Sequence, residues 1–188
     1  MGNKASNVTA GKPKISGAIY KAPLGTDLPE SVTDALTGFV CLGYVSEDGV
    51  SNDNSPESST IKAWGGDTVL ALQTDRPDTF TYALIEAMNE DVLKVVYGDT
   101  NVSVDANGNI SVKATAEQLP GLSWVIDMVL RDGRAKRIVI PEGTLTNLAT
   151  INYNDTDAVA YGITITATPD EDGGSHYEYI AGESEVSG

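Results

Sequence analysis

The chain has 188 residues, of which 40% are hydrophobic and 21% are charged, and these values predict a single domain with a genuine core. Its formal net charge of −15 argues against a nucleic-acid-binding role, because that binding depends on cationic side chains. No apolar run approaches the roughly 18 residues of a membrane helix, and the polar N-terminus lacks an export signal's apolar region, so we expect neither membrane insertion nor Sec export.

The N-terminal part predicts an arm followed by short elements. Residues 1–14 are polar, and we interpret them as a flexible arm. A single domain is expected to span 15–181, and the segment 23–38 is rich in turn residues. The predicted elements are a strand at Ser16–Ala22, a helical turn at Ser31–Leu36 capped by Ser31 with Asp34 three residues on, and a strand at Phe39–Val45.

The segment 46–60 is polar and has few residues that could anchor it to a core. Its composition predicts a long mobile loop, and long loops in compact domains are often functional. Its oxygen-bearing side chains suit Ca²⁺, but their spacing departs from the calcium-loop pattern and the required final glutamate is missing. We favour a mobile interaction loop and keep calcium binding as the alternative.

The next stretch predicts a hairpin and then a strand that leads into a helix. Thr60–Trp64 and Thr68–Thr74 flank a glycine turn and read as a hairpin. Thr79–Ile85 alternates apolar and polar residues, as a half-buried strand does. Asn89 is a suitable N-cap for a helix, and Gly98 stands where a glycine commonly ends one.

The second half of the chain predicts further strands and a disordered tail at 182–188. The overall prediction is a mainly β protein, an antiparallel β-sandwich or small barrel with one flanking α-helix. The segment Thr144–Asn154 is ambiguous. The remaining predicted strands are Asn101–Asp105 and Ile110–Thr115 as a hairpin, Leu122–Leu130, Arg137–Ile140, Ala158–Thr168 and His176–Ile180.

Residues that could carry catalysis are sparse. His176 and Cys41 are the only histidine and cysteine, too few for a typical zinc site, and we expect His176 at a solvated strand end. The sequence has no nucleophile elbow and no phosphate-binding glycine motif. Trp64 and Trp124 lie in apolar strands and are predicted to be core residues. We therefore predict no enzyme, no metal and no cofactor.

Several short motifs along the chain can be compared with those of known proteins. They are Gly17-Ala18, Ala22-Pro23, Leu28-Pro29, Leu42-Gly43-Tyr44-Val45, Glu47-Asp48-Gly49-Val50, Ala63-Trp64-Gly65-Gly66, Thr79-Phe80 and the helix that ends at Gly98. The stretches that carry these motifs resemble the major tail protein, or tail tube subunit, of long-tailed bacteriophages. The resemblance covers residues 15–100 well and is weaker to about 180.

This resemblance implies hexameric rings whose sheets join into a continuous inner barrel. Such rings stack into a tube around a tape-measure protein, and the genome later passes through the bore without specific binding. Further implied partners are the tail terminator and the distal tail or baseplate proteins. The implied location is the virion tail, with assembly in the bacterial host cytoplasm. Contractile-tail and type VI secretion tube proteins resemble the same fold.

The resemblance also suggests roles for the charged residues and for the strand–helix unit. A negatively charged bore would keep DNA from adhering. Thr79–Ile85 is expected in the inter-subunit or bore-lining sheet, and the helix Asn89–Tyr97 on the outer side, packed by Val92, Leu93 and Val96. The candidate assembly contacts are Lys12, Lys14, Glu47, Asp48, Asp53, Arg131, Arg134, Lys136 and Arg137.

Two other functional interpretations of the sequence remain open. A monomeric β-sandwich binding module of a phage or cell surface would carry an exposed aromatic patch. A hydrolase would need two carboxylates held across a cleft, whereas the acidic pairs of this chain are sequence neighbours in turns or at a helix start.

Overall fold

The computed structural model of the protein describes residues 8–14 and 17–182. Within these residues the fold is mainly antiparallel β-sheet with one α-helix, α1 (Glu90–Tyr97), and a 3-10 turn at Asp99–Asn101. The strands are β1 (Gly11–Pro13), β2 (Ile19–Pro23), β3 (Val40–Cys41), β4 (Val45–Asp53), β5 (Glu57–Lys62), β6 (Thr68–Asp75), β7 (Thr79–Leu84), β8 (Val102–Val104), β9 (Ile110–Val112), β10 (Leu122–Leu130), β11 (Ala135–Leu148), β12 (Tyr161–Thr168) and β13 (Tyr177–Ile180).

One large sheet dominates the structure. Its strand order is β3-β2-β10-β11-β12-β7-β4, with β1 paired to β10 and β13 paired to β11. Two hairpins, β5–β6 and β8–β9, form separate two-stranded sheets. All pairings are antiparallel, so the predicted fold class is confirmed.

The core lies on one face of this sheet and beneath α1. In β7 the predicted alternation is confirmed, since Phe80, Tyr82 and Leu84 are buried. Ile19 and Leu42, from the other end of the strand order, belong to the same buried cluster, so the sheet curves around a single core. The helix contributes Val92, Leu93, Val95 and Val96 to that core.

The strand predicted at Phe39–Val45 is interrupted, and that prediction is wrong in extent. Gly43 has a φ of 76°, which a regular strand does not adopt. A Cβ at this position would lie 2.1 Å from the Glu86 carboxylate, so the position requires glycine. The break lets the chain cross between the two ends of the sheet. Leu42 N donates to Ile19 O at 2.9 Å, and Tyr44 O accepts from Ile85 N at 3.1 Å.

Helix α1 begins and ends where the sequence predicts. The Asn89 side chain accepts a hydrogen bond from Asp91 N at 3.0 Å, and Glu90 and Asp91 occupy the first turn, where acidic residues favour the helix dipole. Gly98 has a φ of 96°, and its N–H donates to Lys94 O at 2.9 Å. The strand–helix unit of 78–98 is therefore confirmed.

The segment 46–60 is not the long loop that its composition suggested. Most of it lies in β4, which pairs with β7, and its last residues begin β5. An edge strand buries only one face, and here Val50 packs against the core while Glu47 and Asp48 face solvent. A polar composition is thus compatible with strand structure at a sheet edge.

The predicted helical turn and the described part of the predicted arm differ from expectation, and the predicted tail stays a prediction. Within the arm 1–14, β1 pairs with β10, so this part is strand, while residues 1–7 lie outside the described residues. Ser31–Leu36 forms bends without a helical turn, although Ser31 Oγ donates to Asp34 Oδ1 at 2.7 Å. Of the tail 182–188, all but the first residue lies outside the described range.

The strands predicted in the second half are largely confirmed. The hairpin β8–β9 is present, and β10 has the predicted bounds. β11 is longer than predicted and includes part of the ambiguous Thr144–Asn154 segment. Its first half pairs with β10 and its second half with β12, so one strand serves both regions of the sheet.

Candidate assembly surfaces

The β5–β6 hairpin stands apart from the main sheet. Every residue of both strands is exposed, and the two strands pair only with each other among the described residues. Its turn is held by Ala63 N donating to Asp67 O at 2.8 Å, with Gly65 and Gly66 at positive φ. A two-stranded ribbon of this kind is marginal alone in water.

This hairpin carries large apolar side chains in water. Ile61 lies opposite Leu70 in the register, and Leu72 follows two residues later on the same face, so the three form one apolar stripe. Trp64, at the turn, is fully exposed, and its predicted core position is therefore wrong. Trp124, by contrast, is 1% exposed, as predicted. Exposed patches of this type mark interaction surfaces.

The strand β4 offers a second surface. It ends the strand order, and in the described part of the chain no strand pairs with its outer edge. A groove separates it from β1, with Lys12 and Pro13 on one side, Glu47 and Asp48 on the other, and Ile126 at the base. An unpaired edge with available N–H and C=O groups can accept a strand from a neighbour.

The face of the sheet opposite the core bears many hydroxyl groups. Thr81 Oγ1 lies 3.1 Å from Thr164 Oγ1 across β7 and β12, and Thr146 Oγ1 lies 2.8 Å from Thr166 Oγ1 across β11 and β12. The register also places Thr79 on this face, and we name these five residues the threonine face. The core residues of β7 and β12 and the buried residues of α1 lie on the other side of the sheet.

Arg137 and Asp127 form a buried ion pair between β10 and β11. Arg137 Nε and Nη2 donate to the two Asp127 oxygens at 2.7 and 2.9 Å. Arg137 Nη1 donates to the backbone oxygens of Ser31 and Asp34 at 3.0 and 2.8 Å, so the arginine fastens the 23–38 segment to the sheet. At 2% exposure Arg137 has no surface to offer a neighbour, and its assignment as an assembly contact is wrong.

The other basic candidates remain accessible. Lys12 and Arg131 are exposed, and Lys14 Nζ lies 3.6 Å from Asp127 Oδ2 while staying about half exposed. Arg134 pairs with Asp132 at 2.5 Å, and Lys136 pairs with Glu178 at 2.8 Å. The pairing of β1 with β10 and the β10–β11 turn bring these residues to one end of the molecule. They stay candidates for assembly contacts.

The acidic candidates all lie on β4. Glu47 and Asp48 occupy the irregular part of the strand between Val45 and Val50, and both are exposed. Asp53 ends the strand, and hydrogen bonds from Ser55 lower the pKa of its carboxyl group. Glu47 and Asp48 thus face Lys12 across the groove.

His176 is less solvated than the sequence suggested. Its Nδ1 lies 2.5 Å from Asp78 Oδ2, and its ring packs edge-on against Phe80. Asp78 is buried, and its Oδ1 accepts from Asn52 Nδ2 at 2.7 Å. The group joins the starts of β7 and β13 to the end of β4. Among the described residues, no hydroxyl or thiol is hydrogen-bonded to His176, which a nucleophilic dyad would require.

Neither metal-binding clusters nor membrane helices are found in the described residues. No group of three His, Cys, Asp or Glu side chains there is placed to hold an ion. The helices of the same residues are too short and too polar to cross a bilayer.

Comparison with known proteins agrees with this geometry. The family model described as phage tail tube protein matches residues 1–187, which is nearly the whole chain. A search of curated proteins finds no match. The match confirms the predicted resemblance and carries the tail location and the structural role with it. The chain belongs to the phage tail tube protein family, whose members are structural components of the virion tail.

Proposed function

We propose that this protein assembles with itself into hexameric rings that stack to form the tail tube. The β5–β6 hairpin carries the proposal, since it projects from the domain with its apolar stripe in water. Removing such side chains from water stabilises an interface by about 1.5–3 kcal/mol each. A hairpin of this kind gains its stability when it packs against a neighbouring copy.

The threonine face is proposed to line the bore. It lies on the side of the sheet opposite the core and α1, which supports an outward position for the helix. Its residues are uncharged and offer no cation to DNA phosphates, so a passing duplex finds no site where counterion release would hold it. The net charge of −15 per chain opposes adhesion further.

The edge of β4 and the charged residues near β1 are proposed as contacts within or between rings. A neighbour's strand on the free edge of β4 would extend the sheet from one subunit to the next. Lys12, Lys14, Arg131, Arg134 and Lys136 provide a basic end on an otherwise acidic molecule. The tape-measure, terminator and distal tail or baseplate proteins are the further proposed partners, and assembly is proposed in the host cytoplasm.

The alternative function is a monomeric binding module. The full exposure of Trp64 favours it, because an exposed aromatic side chain can serve as a ligand platform. Sedimentation velocity distinguishes a tube subunit from a monomeric binding module. A tube subunit forms larger species as its concentration rises, whereas a binding module stays monomeric.

A hairpin variant tests the proposal directly. Replacing Ile61, Leu70 and Leu72 by serine removes the apolar stripe, and we expect the variant to remain folded but to lose ring stacking. The matched control replaces Val104, Ile110 and Val112, which are similarly exposed on the β8–β9 hairpin. Equal assembly of both variants would rule out a stacking role for the stripe, and a native protein that never assembles would refute the proposed function itself.

A further inference from the structure

A cavity of about 170 Å³ lies between the C-terminal end of α1 and the segment that precedes β10. Apolar side chains, among them Leu119, Leu122, Trp124 and Leu145, form part of its lining, and polar residues of 99–101 and 117–118 form the rest. An apolar cavity of roughly 150 Å³ is large enough to take up a benzene ring. The size and lining of this cavity therefore suit one aromatic side chain.

The shape of the cavity is fixed by local hydrogen bonds. Asn101 Nδ2 donates to Tyr97 O at 2.9 Å and to Thr115 Oγ1 at 3.1 Å, which ties the end of α1 to the segment after β9. Gly98 is at positive φ, and a Cβ on it would approach Leu119 to 3.3 Å. The cavity is thus formed before anything enters it, and a preformed site avoids the entropic penalty of ordering.

The same chain also carries a fully exposed aromatic side chain. Trp64 stands at the turn of the projecting β5–β6 hairpin. Its benzene portion matches the cavity in size, and its indole N–H would remain near the polar mouth, where a buried tryptophan finds a hydrogen-bond acceptor. The projecting side chain and the cavity lie at different places on one chain. Two copies that join through them therefore meet head to tail, and contacts of this type generate rings or filaments.

The charges around the two features are complementary. Lys62 flanks Trp64 on the hairpin, and Glu117 lines the cavity. The other charged lining residues, Asp99 and Lys94, already pair with Lys21 and Glu90. Within the described residues, neither Lys62 nor Glu117 makes an ion pair. A second copy that inserts its hairpin would bring the unpaired cation to the unpaired anion.

We infer that the indole of Trp64 from one copy of this chain inserts into the cavity beneath α1 of another copy, with Lys62 beside Glu117. This inference rests on the proposed self-assembly and specifies which two surfaces meet. Tryptophan in a closely fitted, water-excluding pocket is a frequent centre of binding energy. Trp64 is then the principal anchor of the hairpin.

Cysteine cross-linking tests the contact while leaving Trp64 and the apolar side chains of the cavity unchanged. In a Cys41→Ala background, one preparation carries Lys62→Cys and the other carries Glu117→Cys. Oxidation of assembled mixtures should give a disulfide-linked dimer only when both are present. A matched control pairs Lys62→Cys with Glu30→Cys, which lies near β13, away from the cavity, and should give none.

A second measurement does not depend on thiols. We expect Trp64→Ala to weaken assembly at least about tenfold, and Trp64→Phe, which keeps an aromatic ring, to weaken it less. If tubes form but the selective cross-link is missing, or if Trp64→Ala assembles as the native chain does, this inference is overturned and the proposed function stands. If the native protein forms neither rings nor tubes, the proposed function fails first.

Discussion

Arg137 on β11 lies directly opposite Asp127 on β10, and the two side chains meet in a two-pronged ion pair with N–O distances of 2.7 and 2.9 Å. The same guanidinium donates to the backbone oxygens of Ser31 and Asp34. Arg137 therefore donates four hydrogen bonds and joins β10, β11 and the 23–38 segment. The contact fastens that segment to β10 and β11.

Replacing Arg137 by methionine should destabilise the protein by up to about 3–5 kcal/mol, because the buried Asp127 would keep only the half-exposed Lys14, 3.6 Å away, as an ionic partner. Chemical denaturation of the unassembled protein measures this change. The matched control is Arg134→Met, whose pair with Asp132 is partly exposed and should contribute about 0–1 kcal/mol. Equal effects of the two substitutions would contradict the structural role of Arg137.

The hydrogen bond between Tyr177 and Asp170 predicts that folding stability decreases at alkaline pH. Tyr177 Oη donates to Asp170 Oδ2 at 2.7 Å, and this bond raises the pKa of Tyr177 from 10.0 to about 12. Because the folded state favours the neutral phenol, the stabilisation is complete below pH 10.0 and is lost as pH rises toward about 12. Urea unfolding across this range should show less alkaline loss for Tyr177→Phe than for the native chain. The two chains should differ little at pH values above the folded pKa.

The same hydrogen bond also makes folding stability depend on pH in the acid range. The hydrogen bond from Tyr177, followed by that from Gly174 N, lowers the pKa of the Asp170 carboxyl below 3.8. A depressed carboxyl pKa stabilises the fold above about 3.8 and loses that contribution as pH falls through the folded value. Asp170→Asn should therefore flatten the acid side of the stability profile, and an unchanged acid slope would contradict the assignment.

If the threonine face lines the bore, its lack of charge should keep DNA from adhering to the tube. Substituting lysine at Thr81 and Thr164 should cost about 0.2–1 kcal/mol of stability, because the two residues lie directly opposite each other on β7 and β12 and like charges repel there. It should also make assembled tubes retain double-stranded DNA in a salt-dependent manner. Co-sedimentation of tubes with DNA measures this. The control places two lysines at Thr33 and Thr156, which are exposed in other parts of the chain, and retention that is equal in both variants would contradict a bore-lining threonine face.

The two tryptophans predict a change in fluorescence on assembly. Trp64 is in water and Trp124 is buried, so in the monomer a soluble quencher should reach only Trp64. Assembly should shift the emission to shorter wavelength and protect Trp64 from quenching. In Trp64→Phe the emission should change little with assembly. Emission of the native chain that stays quenchable in tubes would argue that Trp64 remains exposed there.

Local patterns in the sequence predicted the elements that are governed by local chemistry. The unit from Thr79 to Gly98 could be predicted because alternation, an asparagine cap and a terminal glycine are all short-range signals. The hairpin β5–β6 could be predicted for the same reason. The match to the phage tail tube protein family supports the resemblance that such stretches carry.

Tertiary context decided what the sequence did not predict. Trp64 lies beside apolar residues as a core residue would, and only the projection of its hairpin exposes it. Arg137 belongs to a basic run that suggests a surface, but the 23–38 segment covers it. Segment 46–60 has a loop-like composition, yet its backbone pairs with β7 at the sheet edge. None of these outcomes depends on neighbours in sequence.

Electron microscopy of the purified protein is the most direct measurement of self-assembly into a tube. We expect ring-shaped projections with sixfold symmetry and an open bore, which stack into tubes of uniform width as concentration rises. Particles of the serine variant of Ile61, Leu70 and Leu72 should fail to stack under the same conditions. A native protein that remains a featureless monomer at every concentration would refute the proposed assembly.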